Sequence, residues 1–292
     1  MAAPLPGGAP PPATRPARGR RPGAHPEKDL SMRILFLGDI VGRPGREAVI
    51  AELFRLRREL EVDVVLANGE NASGGLGITV KAASQLLSCG VDVITSGNHV
   101  FKHREIQSYF DATDRLLRPA NYPPGAPGAG LCVYGIEGKP PFAVMNLLGR
   151  TYMDSLDCPF RVADELIGKI PGDVPVRLVD FHAEATSEKK AMAYYLDGRV
   201  SALCGTHTHV QTSDAQILPH GMAYITDLGM SGPIRSAIGM DPQAVIRRYM
   251  TGMPQRFVLS KGPVELQGAL LDIDAQTGKA VQIQGWRHAC QG

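Results

Sequence analysis

Three short runs rich in Ile, Val and Leu, at 33–38, 62–67 and 91–96, alternate with longer stretches of helical spacing at about 44–60, 79–89 and 103–110. A strand apolar along its whole length is covered on both faces, and a strand–helix–strand order joins parallel strands, so this half of the chain predicts a parallel sheet flanked by helices. In the first helix Pro44 suits the opening turn, and Val49, Ile50, Leu53, Phe54, Leu56 and Leu60 recur at the spacing of a core-facing stripe.

The second half is richer in strands. Residues 119–130 (PANYPPGAPGAG) read as loop, 131–136 and 142–148 as two strands of a second layer. A helix over 160–168, a strand over 176–181, a helix over 187–196 and a strand over 200–204 follow. Then come a hairpin within 214–228, a helix over 241–250 and a closing hairpin over 264–286 that turns at Gln276-Thr277-Gly278. So many strands do not fit one doubly wound sheet. The expected fold is an α/β two-sheet sandwich, mixed sheets flanked by helices, without internal repeats.

With 292 residues, 43% of them hydrophobic and 21% charged, one domain accommodates this core, and 32–286 is its expected extent. Residues 1–31 are rich in Pro, Ala, Gly and Arg, and read as a disordered tail or a misassigned start ahead of Met32; 287–292 read as a short C-terminal tail. The net charge is only +2, with much of the positive charge before Met32, so no stable nucleic-acid partner is expected. Five scattered cysteines without a C-x-x-C pair exclude a disulfide framework and a zinc ribbon, and suit a reducing cytoplasm. No apolar run approaches the ~20 residues needed to cross a bilayer, and the N-terminal segment lacks the apolar stretch of a secretory signal, so neither insertion nor export is expected.

Five of the runs end in residues that bind metals: Gly38-Asp39, Gly69-Glu70-Asn71, Gly97-Asn98-His99, His182 after Asp180-Phe181, and Gly205-Thr206-His207-Thr208-His209. The carboxyl ends of strands are where open α/β sheets gather their ligands. Each block alone has a plain reading: Asp39 as a helix cap, Glu70-Asn71 as a polar loop, His99 as a satisfied surface or core histidine, and the H-x-H spacing as coincidence. Together they favour a dinuclear metal centre, because carboxylates crowded at a sheet rim repel unless a cation neutralises them and because i, i+2 imidazoles project from one side of an extended segment. Asn98 and His99 project in different directions, so one can ligate while the other faces substrate; a near-neutral imidazole is suited to protonating a leaving alkoxide. His25, His103, His220 and His288 carry no assigned role, and Arg43 and Arg46 suit a solvated helix face or a substrate phosphate. The glycines at 38, 42 and 45 lack dinucleotide-loop spacing, and there is neither a P-loop nor a G-x-S-x-G elbow.

At these blocks the chain resembles the calcineurin-like metallophosphoesterases, whose order runs D-x-H, G-D, G-N-H, H and G-H-x-H. Three positions depart: Val41 stands where the first histidine belongs, Glu70-Asn71 replaces Gly-Asp, and Thr206 separates Gly205 from His207. The departures, with the strings GDIVGRPGR, GENASGG, TSGNHVF, DFHAEATSEK and GTHTHVQT, resemble the narrower YmdB-type group from Met32 to about Trp286. That resemblance implies a cyclic-nucleotide phosphodiesterase, most often acting on 2′,3′-cyclic mononucleotides. It implies Asp39, Glu70, Asn71 and His209 as ligands of one metal and Glu70, Asn98, His182 and His207 as ligands of the other. Glu70 would bridge, Asn71 would replace the histidine missing at Val41, and His99 would be the proton donor.

The expected chemistry is in-line attack by a metal-bound hydroxide, with His99 protonating the departing ribose oxygen and no covalent protein intermediate. Mixed oxygen and imidazole ligands suit iron or manganese, with zinc possible, and do not select among them; iron is the ion expected. The expected partner is a small cyclic nucleotide, without a membrane; a homo-oligomer follows from the resemblance alone. Two other functions compete: a phosphomonoesterase or protein phosphatase using the same metals, and a metal-bound regulatory protein associated with RNA.

Overall fold

The computed structural model describes residues 31–290, so the expected disordered tail before them lies outside the described residues. The first half runs β1 (Ser31–Leu37), β2 (Asp39–Ile40), α1 (Gly42–Glu59), β3 (Val64–Asn68), α2 (Val80–Ser88), β4 (Val93–Thr95) and α3 (Ile106–Tyr109). The middle runs β5 (Leu131–Tyr134), β6 (Phe142–Leu148), α4 (Pro159–Lys169), β7 (Val176–His182), α5 (Thr186–Leu196) and β8 (Ala202–Thr206). Last come β9 (Gln216–Ile217), β10 (Ala223–Ile225), β11 (Met230–Pro233), α6 (Pro242–Thr251), β12 (Val264–Asp274) and β13 (Ala280–Ala289).

Two mixed sheets result. One has the order β2-β11-β12-β1-β3-β4 with β13 added on β12; the other has the order β5-β6-β7-β8-β10-β9. Parallel pairs form the centre of each: β1 with β3 and β3 with β4, then β6, β7, β8 and β10 in succession. Antiparallel strands close the sheets, β12 against β1 and β5 against β6 among them. No helix among the described residues is long and apolar enough to cross a membrane.

The period of two along each strand sorts the apolar residues into layers. Met32, Ile34 and Phe36 of β1 meet Phe142, Val144, Val176 and Leu178 between the sheets. Leu35 and Leu37 point the other way, onto Val49 and Leu53 of α1 and Ala82 and Leu86 of α2. On the far side Met145, Val179 and Phe181 pack against Ala163 of α4 and Met192 and Leu196 of α5. Strands buried on both faces need apolar residues at every position, which is why they read as unbroken runs.

Four expectations shift. The helix expected at 103–110 is the single turn α3, because residues 99–106 are wound as i→i+3 turns: Lys102 N donates to His99 O and Ile106 N to His103 O. The stripe of α1 is narrower than expected: Val49, Leu53 and Leu56 are buried, but Ile50 and Phe54 are 38% and 72% exposed, Phe54 lying under the Arg58 guanidinium. The expected boundary after Trp286 falls inside β13, whose ladder pairs His288 with Leu266 and Ala289 with Glu265, so 287–289 are strand rather than tail. Ser31, expected in the N-terminal tail, already pairs with Asp274 in β1. Too short for a periodic signature, β2 and β11 were not expected.

Candidate metal centre

The inter-sheet layer is apolar along most of its length and turns polar at the carboxyl ends of the parallel strands. Continuing the inward positions of β3, β4, β7 and β8 gives Asn68, Thr95, Asp180, His182 and Thr206, all completely buried. They bond to one another. Asp180 accepts from Asn68 Nδ2 at 3.0 Å, Thr95 Oγ1 at 2.5 Å and Thr206 Oγ1 at 2.6 Å. Burial pushes Asp180 up to about 6, against those donors and His182.

This polar floor fixes His182. Its Nδ1 lies 2.9 Å from Thr206 Oγ1, whose only proton is committed to Asp180, so Nδ1 carries a hydrogen and Nε2 is the nitrogen turned to the centre. Around that Nε2 stand His207 Nδ1 at 3.0 Å, Asn98 Oδ1 at 3.1 Å and Glu70 Oε1 at 3.2 Å. His207 is oriented in the same manner, its Nε2 held 3.0 Å from Glu184 Oε2 while Nδ1 turns inward. A third histidine, His209, places Nδ1 3.0 Å from the carbonyl of Ile238 and turns Nε2 toward Asn71 Nδ2 at 3.2 Å and Asp39 Oδ1 at 3.7 Å.

Each block therefore delivers its residues to one place. Gly97 makes room for the meeting: a Cβ there would collide with Glu70 Oε2 and with His182 Nε2. Glu70 lies centrally, with Asn71 Nδ2 at 3.0 Å and His99 Nδ1 at 3.4 Å from Oε1 and the His99 amide donating to Oε2 at 3.0 Å. His99 Nδ1 lies 2.9 Å from Asn71 Oδ1, and its ring is a quarter exposed at the rim.

Several observations test whether cations suit these residues. Asp39 is fully buried, its Oδ2 accepts from the His207 amide at 3.1 Å, and its Oδ1 has no hydrogen-bond partner. Burial raises the Asp39 pKa, helped by neighbouring Glu70 and Asp227 and opposed by His209 and His182. Glu70, although burial opposes its ionisation, is held well below the usual carboxylate range by His182 and His99. The same carboxylates push His182 up to about 9 against its burial, so a proton stands in for positive charge. Neighbouring His207 is pushed down to about 3 by burial and by His182. Glu70, His182 and His207 offer ligand atoms all within 4.8 Å of one another. Atoms bound about 2.1 Å from one ion at right angles lie about 3 Å apart, matching the spacing around His182 Nε2. The residues fit a cation. One departs from expectation: Asn71 turns Nδ2, not Oδ1, toward Glu70 and His209, so ligation requires its amide rotated by half a turn.

All eight residues singled out in the sequence converge: Asp39, Glu70, Asn71, Asn98, His99, His182, His207 and His209. The sequence reading missed the residues behind them, namely Asn68, Thr95, Asp180, Glu184, Thr206 and the Ile238 carbonyl. Two of them show in the sequence blocks, Asp180 beside His182 and Thr206 as a departure from G-H-x-H, though neither shows its role there.

Two mixed sheets between helices, with carboxylate, amide and imidazole groups at one rim, define the metallophosphoesterase class. The sequence profile described as "YmdB-like protein" matches residues 35–285, and the chain belongs to that family. A Bacillus subtilis protein named "2′,3′-cyclic-nucleotide 2′-phosphodiesterase" is 49% identical over 253 residues, covering 87% of this chain and 96% of that one. A crystal structure of a hypothetical protein from Thermus thermophilus superposes with TM-score 0.84 at 40% identity, covering 89% of this chain and 100% of that one. One from Mycoplasma pneumoniae, described as a novel phosphatase, superposes with TM-score 0.83 at 36% identity over 89% of this chain and 94% of its own.

Proposed function

We propose that the chain is a metal-dependent phosphodiesterase that opens 2′,3′-cyclic nucleotides at the bond to the 2′ oxygen and leaves a 3′-phosphomonoester. One observation carries the reading: the ligand atoms crowd to 3.0 to 3.2 Å around His182 Nε2 beside an unpartnered buried carboxylate oxygen, in a chain 49% identical to the Bacillus subtilis protein of that name. Asp39, Glu70, Asn71 and His209 would hold one ion, and Glu70, Asn98, His182 and His207 the other, with Glu70 shared. Metal ions bound there would polarise the phosphoryl oxygens and acidify water. Iron is the ion proposed first, with manganese or zinc as alternatives; donors that mix imidazole with carboxylate and amide oxygen suit all three.

His99 handles the proton. Its Nδ1 lies 3.4 Å from Glu70 Oε1, an acceptor for an Nδ1–H, so the ring can hold a proton on each nitrogen and present the one on Nε2 to substrate. The oxygen of a water that has given one proton to solvent joins phosphorus as the bond to the 2′ oxygen breaks, and the Nε2 proton of the imidazolium passes to that 2′ oxygen, leaving a neutral ring. No protein nucleophile is required. The proposed setting is the cytoplasm, which suits the five free cysteines, as a homo-oligomer for which Tyr249 and Met250 of α6, 86% and 81% exposed, offer apolar surface.

Metal analysis of the purified protein, paired with turnover of 2′,3′-cyclic AMP and of a phosphomonoester, tests the reading. We expect metal-dependent diester hydrolysis, and a fall in kcat of about 10²- to 10⁴-fold in His99→Ala with its metal content retained. Faster monoester turnover would favour a phosphatase, the description given to the Mycoplasma pneumoniae structure. Bound metal without either activity would defeat both.

A further inference from the structure

Lys189 of α5 is completely buried, with Nζ 2.8 Å from Asp227 Oδ2, itself buried. Such a pair is costly to desolvate, and well-packed apolar residues of similar volume serve stability as well or better, so stability alone does not account for it. The Asp227 carboxylate has further partners. Oδ2 accepts from the Thr208 amide at 3.1 Å and the Thr208 hydroxyl at 2.8 Å, and Oδ1 accepts from the Gly229 amide at 2.9 Å. Thr208 lies between the two histidines assigned to different ions.

Both of those histidines have left-handed backbone, His207 at φ 104° and His209 at φ 63°. So does Ile238, at φ 49°, whose carbonyl meets His209 Nδ1. A β-branched residue there is a marked outlier, and such conformations persist only where the surroundings over-determine them. These are three of the five non-glycine residues with positive φ among the described residues, two in one turn and the third bonded to it. Between the strained histidines, Thr208 is tied twice to one carboxylate.

We propose that Lys189 and Asp227 are positioning residues: they hold Thr208 so that His207 and His209 leave the chain toward two different ions. The proposal rests on the dinuclear reading above. Lys189 fixes Asp227 in place; Asp227 fixes both polar groups of Thr208; the flanking imidazoles then diverge, one toward His182 Nε2 and the other toward Asp39 and Asn71.

Three variants test this: Thr208→Val, Thr208→Ser, and the charge-neutral pair Lys189→Met with Asp227→Asn. Titration with Mn²⁺ would give affinity and stoichiometry, electron paramagnetic resonance would report whether two ions are exchange-coupled, and thermal unfolding of the metal-free protein would report the fold. Thr208→Val should weaken Mn²⁺ binding about 10- to 100-fold and lose the coupled signal, with the metal-free Tm within about 4 °C of wild type, and Thr208→Ser should restore both. The paired variant should weaken binding similarly, and adding Thr208→Val to it should weaken binding little further. Wild-type affinity and coupling in Thr208→Val would overturn the proposal, and normal binding in a folded paired variant would remove Lys189 and Asp227 from it. Should the paired variant not fold, a wild-type chain carrying Lys189→Arg alone replaces it, with weakened binding expected and unchanged binding against. Wild-type protein that binds no Mn²⁺ would instead defeat the dinuclear reading itself.

Discussion

The two halves of the centre are built to different tolerances. Around His182, three ligand atoms lie within 3.2 Å of a fully buried nitrogen whose ring is fixed from behind by Thr206 and Asp180. Around Asp39 the approach to His209 is 3.7 Å, the Asn71 amide faces the wrong way for ligation, and His209 leans on the carbonyl of Ile238, a residue 55% exposed. In the proposed centre, one half would be set before an ion arrives and the other would take its final shape around the ion. We expect the His182 half to fill first, since preorganised ligands lose less freedom on binding.

The sharpest way to break the contrast is to loosen the tight half. Thr206→Val removes the acceptor that fixes the His182 tautomer and should lower the affinity of the first ion bound by about 10- to 100-fold in a calorimetric titration. An unchanged first step would mean that the buried network does not govern it. An effect on stability is expected from the loose half. Asp39→Asn removes a buried carboxylate whose Oδ1 has no partner, so the metal-free protein should gain about 1–3 kcal/mol in denaturant unfolding, while the gain from added metal shrinks. A destabilised metal-free variant would contradict the account of Asp39.

The mildest test uses pH. The folded pKa of His182, near 9, lies above the unfolded value of about 6.5, so its proton stabilises the metal-free protein fully below about pH 6.5, and that contribution is lost as pH rises through about 9. A metal-loaded chain has no such proton to lose. The rise in Tm on adding metal should therefore widen between pH 6.5 and 8.5; a constant or narrowing gap would count against His182 as the charge that a cation replaces.

How much of this was legible depended on range. The β6 strand was read to its exact residues, 142–148, because apolar runs at a double-sided sheet centre are local signals. The eight site residues were legible for a related reason: they follow those runs directly, and a strand's end fixes where the next side chain emerges. The support behind them was not. Asp180 and Thr206 are 26 residues apart, Lys189 and Asp227 are 38 apart, and nothing in a lone buried-looking lysine or threonine names its partner. Phe54 was misread because helical spacing marks an apolar stripe without marking its width.

Asp39, Glu70, Asn71 and Asn98 follow strands of the first sheet, whereas His182 ends β7 and His207 and His209 follow β8 in the second. In the proposed ligand set oxygen comes from one slab and nitrogen from the other, so neither slab alone would assemble a complete coordination shell. Metal uptake during refolding would then act as a latch that closes after the slabs dock, and its kinetics would time their meeting rather than the formation of either one.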